Sequence, residues 1–136
     1  MMKKNPGRTY LLARLPIAVS MLGHGLERIT KIPEFRSHLA EQFSKSMLPP
    51  AIVSPFSLAL PFLELITGAL LILGLFTRFS CAMGVMLMLA LILGSSMLED
   101  WDNVFMQLIY GAYFSILYYF AFYNKYSLDR WLLNVQ

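Results

Sequence analysis

Apolar residues in this chain come in runs of about 20, separated by short clusters of charge. A helix rises about 1.5 Å per residue, so such a run matches a hydrocarbon core about 30 Å thick, and the pattern predicts spanning helices. Four follow, at about 10–30, 52–76, 79–98 and 104–123. The first is the least apolar, because Arg14, His24, Glu27 and Arg28 interrupt it. The second contains Pro55 and Pro61, which a membrane helix tolerates when its neighbours satisfy the freed backbone groups, and a kink is expected near Pro61. Thr77 and Arg78 make a tight turn, and Glu99 to Asn103 form the next loop.

Between the first two spans, Phe35, Leu39, Phe43 and Met47 recur every four residues among Glu34, Arg36, Glu41 and Lys45. That spacing predicts a short amphipathic helix within 33–50, lying on the membrane surface and stopped by Pro49 and Pro50. The tail, 124–136, carries a second amphipathic segment around Tyr126, Leu128, Trp131 and Leu132, aromatics suited to an interface. The predicted fold is all-α: one membrane domain, an integral four-helix bundle with an interfacial helix between spans 1 and 2.

Composition strengthens this reading. The chain is 57% apolar and 14% charged, whereas typical soluble domains are about 25% charged. The net charge of +3 could suggest nucleic acid. However, Lys3, Lys4, Arg8, Arg78, Lys125 and Arg130 lie at the ends of apolar segments and form no stripe, so no nucleic-acid partner is expected. The expected location is a cell inner membrane, and by the positive-inside rule these residues put both termini on the cytoplasmic side and the acidic 99–102 loop opposite. The N-terminus imitates a signal peptide, but Arg14 and Pro16 break its apolar region and no small-x-small site follows, so it is expected to stay attached. With Cys81 as the sole cysteine, no internal disulfide or Cys-x-x-Cys pair can form.

Ionisable groups inside a bilayer are costly and need a partner, water or a function. Glu64 falls near the midplane, on a helix face shared with Ser57, Pro61, Thr67 and Gly68. Arg14 is expected about 6 Å lower, within an arginine's reach. Two readings stay open: a structural ion pair with Arg14, or a carboxylate that exchanges a proton or bonds a lipid-soluble ligand. His24, between Gly23 and Gly25, could bond a quinone carbonyl, relay a proton or make an interhelical hydrogen bond. Glu27, Arg28 and Lys31 lie toward the outer interface, where snorkelling and ligand contact both apply. The rows Ser80, Gly84, Leu87, Leu91, Gly94 and Gln107, Gly111, Ser115, Tyr118 read as packing seams. Nine methionines are scattered without a close repeat, and His24 and His38 are too differently placed for a bis-histidine haem; no metal site is predicted.

Three features carry a family likeness: Arg14 in the first span, the run Gly23 to Arg28 at its end, and the block Glu64 to Arg78, ELITGALLILGLFTR. On these the chain resembles the DoxX family of small four-span membrane proteins, related to the DoxD subunit of thiosulfate:quinone oxidoreductases. The resemblance implies a helical bundle working with quinones or with sulfur and redox-stress partners. The lone Cys81 departs from related families that move electrons through paired thiols. The leading expectation is an accessory or quinone-contacting subunit of a membrane oxidoreductase. In it, Glu64 is the proton-exchanging or ligand-bonding group, His24 and Arg28 are outer polar contacts, and Arg14 tunes Glu64. Expected partners are the lipid bilayer, quinone and other membrane or soluble redox proteins, and the small-residue seams also fit a homo-oligomer. Rival readings are a non-enzymatic membrane scaffold or assembly protein and a small solute or proton conductor. Whether the chain is itself an enzyme stays open.

Overall fold

The structure, a computed structural model, describes residues 4–132. Lys3 and the last four residues of the expected tail lie outside them. The described residues are all-helical: α1 Pro6–Thr30, α2 Ile32–Phe43, α3 Pro50–Leu73, α4 Thr77–Met97, α5 Trp101–Tyr119 and α6 Leu128–Leu132, with a 3-10 turn at Ala121–Tyr123. Two helices, α3 and α4, are long and apolar enough to cross a membrane.

Local chemistry sets the ends. Asn5 caps α1, its side chain accepting from Arg8 N at 3.3 Å, and Pro6 supplies a first-turn residue that needs no donor. α1 therefore starts a turn earlier than hydropathy alone suggests. α3 ends at Gly74, whose φ of 68° is left-handed. Leu75 N bonds Leu70 O at 2.9 Å and Gly74 N bonds Leu71 O at 3.3 Å, the paired pattern that closes a helix on a left-handed glycine. α5 starts at Trp101 because Asp100 accepts from Asn103 N. It ends at Tyr119, so 120–123, expected to continue the span, turn instead. α3 continues through Pro55 and Pro61.

The tightest seam joins α1 to α3, which run antiparallel. A Cβ on Gly25 would lie 2.6 Å from Leu65 N, and one on Gly68 would lie 2.5 Å from Leu22 N. The helix backbones thus touch at two glycines, as in small-residue membrane packing. α4 packs broadly on α5, the Phe114 ring covering Gly84. The row Ser80, Gly84, Leu87 and Gly94 is buried with Leu91 half-buried, as expected. On α5 the expected row is corrected: Ser115 and Tyr118 are exposed, while Phe114 and Leu117 are buried. Bulk decides this, since a phenylalanine fills the space over Gly84 that small residues would leave empty.

α2 leaves α1 after one residue and lies against the first turns of α3, where Arg36 donates to Ser54 Oγ at 2.8 Å. Phe35, Leu39 and Phe43 are half-buried, but Met47 lies past the helix and is 90% exposed. The amphipathic helix is thus shorter than its predicted segment.

The distribution of polarity is inverted. Arg14, Ser57, Glu64, Thr67, Thr77 and Ser80 are buried, while Leu12, Val19, Leu89, Leu93, Phe105 and Ile116 are exposed by more than half.

Candidate functional site

Two polar nodes lie at opposite ends of α1. From Arg14 to Arg28 is fourteen residues, about 21 Å of helix at 1.5 Å per residue.

The upper node is built on the Gly25–Gly68 contact. With Leu65 fixed against Gly25 and Gly68 against Leu22, Glu64 lies level with the turn that carries Arg28. Arg28 Nη1 bonds Glu64 Oε1 at 2.5 Å, and Glu64 is 3% exposed against 27% for Arg28. The expected pair of Glu64 with Arg14 is therefore corrected. Counting depth from assumed helix starts failed because α3 reaches well past the end of α1, which slides Glu64 upward to Arg28 and away from Arg14. Glu64 Oε2 is buried without a hydrogen-bond partner among the described residues. The Arg28 guanidinium also stacks over the Phe35 ring, 4.9 Å from its centre, which fixes α2 over the pair.

Arg28 lines a partly open cavity of about 510 Å³ bordered by α1, α2, α3, α4 and α5. Phe35 and Phe43 form its α2 wall, Phe56 and Leu60 its α3 wall and Gln107 its α5 wall. Phe56, Leu60 and Glu64 are spaced by four on α3, so the carboxylate lies one turn beyond the cavity's inner end, behind Arg28. Gln107 Nε2 donates to Ser95 Oγ at 3.0 Å, and its Oε1 is buried without a partner among the described residues. Glu27, Glu34, Lys31 and His38 also line the cavity. Among the described residues no three of His, Cys, Asp and Glu gather as a metal site would need.

His24 is exposed and lies on the side of α1 toward α5. Its Nδ1–H donates to Ser20 O at 2.7 Å, which leaves Nε2 as an acceptor. Ser20 Oγ and Tyr110 OH are 2.6 Å apart, and the His24 and Tyr110 rings meet edge to face. Of its two flanking glycines, Gly25 contacts α3 and Gly23 faces open space.

The lower node holds Arg14, 1% exposed. Its Nη1 donates to Asn124 Oδ1 at 2.5 Å and its Nη2 to Tyr126 O at 3.2 Å. Asn124 Nδ2 donates to Thr77 Oγ1 at 2.8 Å. The Asp129 carboxylate accepts from Phe76 N at 2.5 Å and Thr77 N at 2.8 Å, capping α4 from the tail. Gly74 sits beneath: a Cβ there would lie 2.5 Å from Ser127 Cβ and 2.6 Å from Arg14 Nη1.

Of the four site residues named from sequence, the structure brings Glu64 and Arg28 together, sets His24 beside them on another face and separates Arg14. The sequence reading missed Arg28 as the partner, Phe35 and Gln107 as cavity walls, and Asp129 as a cap. Matching Gly25 against Gly68 as the contact of two antiparallel helices would have found the first.

The family model DoxX matches residues 9–96, from α1 through nearly all of α4. No curated protein matches the chain, and no solved structure does.

Proposed function

The chain belongs to the DoxX family, and from that premise we propose that α1, α3, α4 and α5 cross an inner membrane as a four-helix bundle. The cavity beside Arg28 would then receive the polar head of a lipid-soluble ligand, quinone being the class the family likeness suggests. In this reading the protein is an accessory or quinone-contacting subunit of a membrane oxidoreductase. The inverted polarity supports the membrane placement: exposed leucines along α1, α4 and α5 suit lipid, and the buried Arg14, Ser57, Glu64 and Thr77 side chains each find a hydrogen-bond partner within the protein.

The ligand reading is carried by one observation. A buried carboxylate with a free oxygen is held by an arginine that itself lines a 510 Å³ cavity, in the size range of small-ligand pockets. Arg28 can offer its other N–H groups to a carbonyl or hydroxyl while Glu64 keeps it oriented. His24, on the α5 side, contributes a separate acceptor. Arg14 has no part in this site; it holds the tail.

A short-chain quinone should raise the melting temperature of the detergent-purified protein, since a ligand that binds the folded state stabilises it. Glu64→Gln should remove the shift. Absence of a shift in both proteins would sink the reading. A second reading, a membrane scaffold or assembly protein, is favoured by the direct Arg28–Glu64 ion pair, which a purely structural role would also produce. It predicts no ligand shift and copurification of a specific redox protein. The packing between the nodes gives no support to a conductor: Ile17, Ala18 and Met21 are each at most 2% exposed.

A further inference from the structure

The seam between α1 and α5 is sparse beside the α1–α3 and α4–α5 seams. Tyrosine hydroxyls bridge it: Tyr10 OH donates to Leu117 O at 2.8 Å, Tyr113 OH donates to Ala13 O, and Tyr110 meets Ser20. Between and beside these bridges runs an apolar groove of about 830 Å³, walled by Tyr10, Ala13, Ile116, Leu117 and Phe120, with Lys4 at its end. A further 370 Å³ hollow shares Ala13, Ile116 and Leu117 and extends the groove to Ile109. From Phe120 to Ile109 is eleven residues, about 16 Å. That is about half of a hydrocarbon core some 30 Å thick, the depth of one leaflet.

The end of the molecule that holds Lys4 also exposes Arg8, Arg78, Lys125 and Arg130. The single described carboxylate there, Asp129, is engaged by two backbone N–H groups. We propose that the groove binds one acyl chain of an anionic glycerophospholipid from the leaflet on this side, with its phosphate held by Lys4. The proposal rests on the membrane placement above and is independent of any ligand in the Arg28 cavity. A lipid suits the groove better than a second copy of the chain. Copies in one membrane share an orientation, so a second copy would set its own basic end against this one, whereas an anionic headgroup complements it.

The test is native mass spectrometry of the delipidated full chain in detergent, offered dioleoyl phosphatidylglycerol or dioleoyl phosphatidylcholine. One phosphatidylglycerol should be retained, with at least about fivefold preference over phosphatidylcholine, the scale of one lysine near an anionic surface. Lys4→Gln should erase most of that preference and leave phosphatidylcholine binding unchanged. Ala13→Trp, which fills the groove, should cut phosphatidylglycerol retention more than tenfold. If that variant loses its helical circular dichroism, Ile116→Trp on the opposite wall gives the same reading. Equal retention of the two lipids by the unaltered protein would overturn the proposal, as would groove-filling variants that bind normally. So would a lipid-free dimer that the tryptophan dissociates. A protein that stays soluble without detergent would remove the membrane placement as well, whereas failure of quinone to bind would leave this proposal standing.

Discussion

Arg28 and Glu64 make a pair whose worth depends on which partner is removed. Glu64 is almost fully buried, so removing its cation leaves an uncompensated charge, a loss of about 3–5 kcal/mol for buried pairs. Arg28→Met should therefore destabilise strongly, and Glu64→Met with Arg28→Met should recover much of the loss, because an apolar pair of similar volume fits an apolar surround. Thermal unfolding of the unaltered protein and these two variants in one detergent tests this; a double variant no better than the single one would mean that the pair does more than neutralise itself. The residue chemistry was partly legible. A lone carboxylate in an apolar run announces itself, and the face it shares with Ser57, Thr67 and Gly68 is the buried face. Its partner was not legible from depth counting, because the slide of one helix along another is set by where glycines let backbones touch.

At the scale of elements, the α1–α3 seam and the tail carry the distinguishing features. Alanine at Gly25 or Gly68 places a methyl within 2.6 Å of the facing backbone. Each should cost about 1–3 kcal/mol as overpacking and also loosen the Arg28–Glu64 pair, so the quinone shift should shrink in parallel with stability. Asp129→Ala removes the cap on α4 and should cost about 0.5–2 kcal/mol, with Asp129→Asn milder, read by melting temperature. At the same end, hydrogen bonds from Asn5 and Arg8 hold the Tyr126 phenol below its usual value near 10. A lowered folded value favours the phenolate in the folded state. That contribution is full above the unfolded value and is lost as pH falls through the folded one. Ultraviolet titration should show one tyrosine ionising early, and Tyr126→Phe should abolish that step. The helices were legible from apolar run length, and their ends less so, since caps such as Asn5 and Asp100 extend helices beyond the apolar run. The Asp129 cap was invisible because its donors lie more than fifty positions away.

The whole molecule sorts charge by end. Asn5 Nδ2 bonds Tyr126 OH at 3.3 Å and Asp129 N bonds Gly74 O at 3.0 Å. The start of α1, the α3–α4 turn and the tail therefore share one end, as the positive-inside count requires. In the proposed membrane placement, reporter fusions at residue 4 and after Lys125 should both read cytoplasmic, and one within the 99–102 loop should read outside. Opposite readings at the first two sites would break the arrangement.

Arg14 leaves the ribosome 110 positions ahead of Asn124, the amide that receives it. Until Asn124 and Tyr126 emerge, this guanidinium sits in an unfinished bundle without those acceptors, and the closing turn of α3 lacks the Ser127 segment that covers it. Maturation of the molecule is thus timed by the segment from Asn124 to Asp129. A nascent chain stalled before Asn124 should remain open to proteases at the Gly74 turn, and one released after Asp129 should resist them.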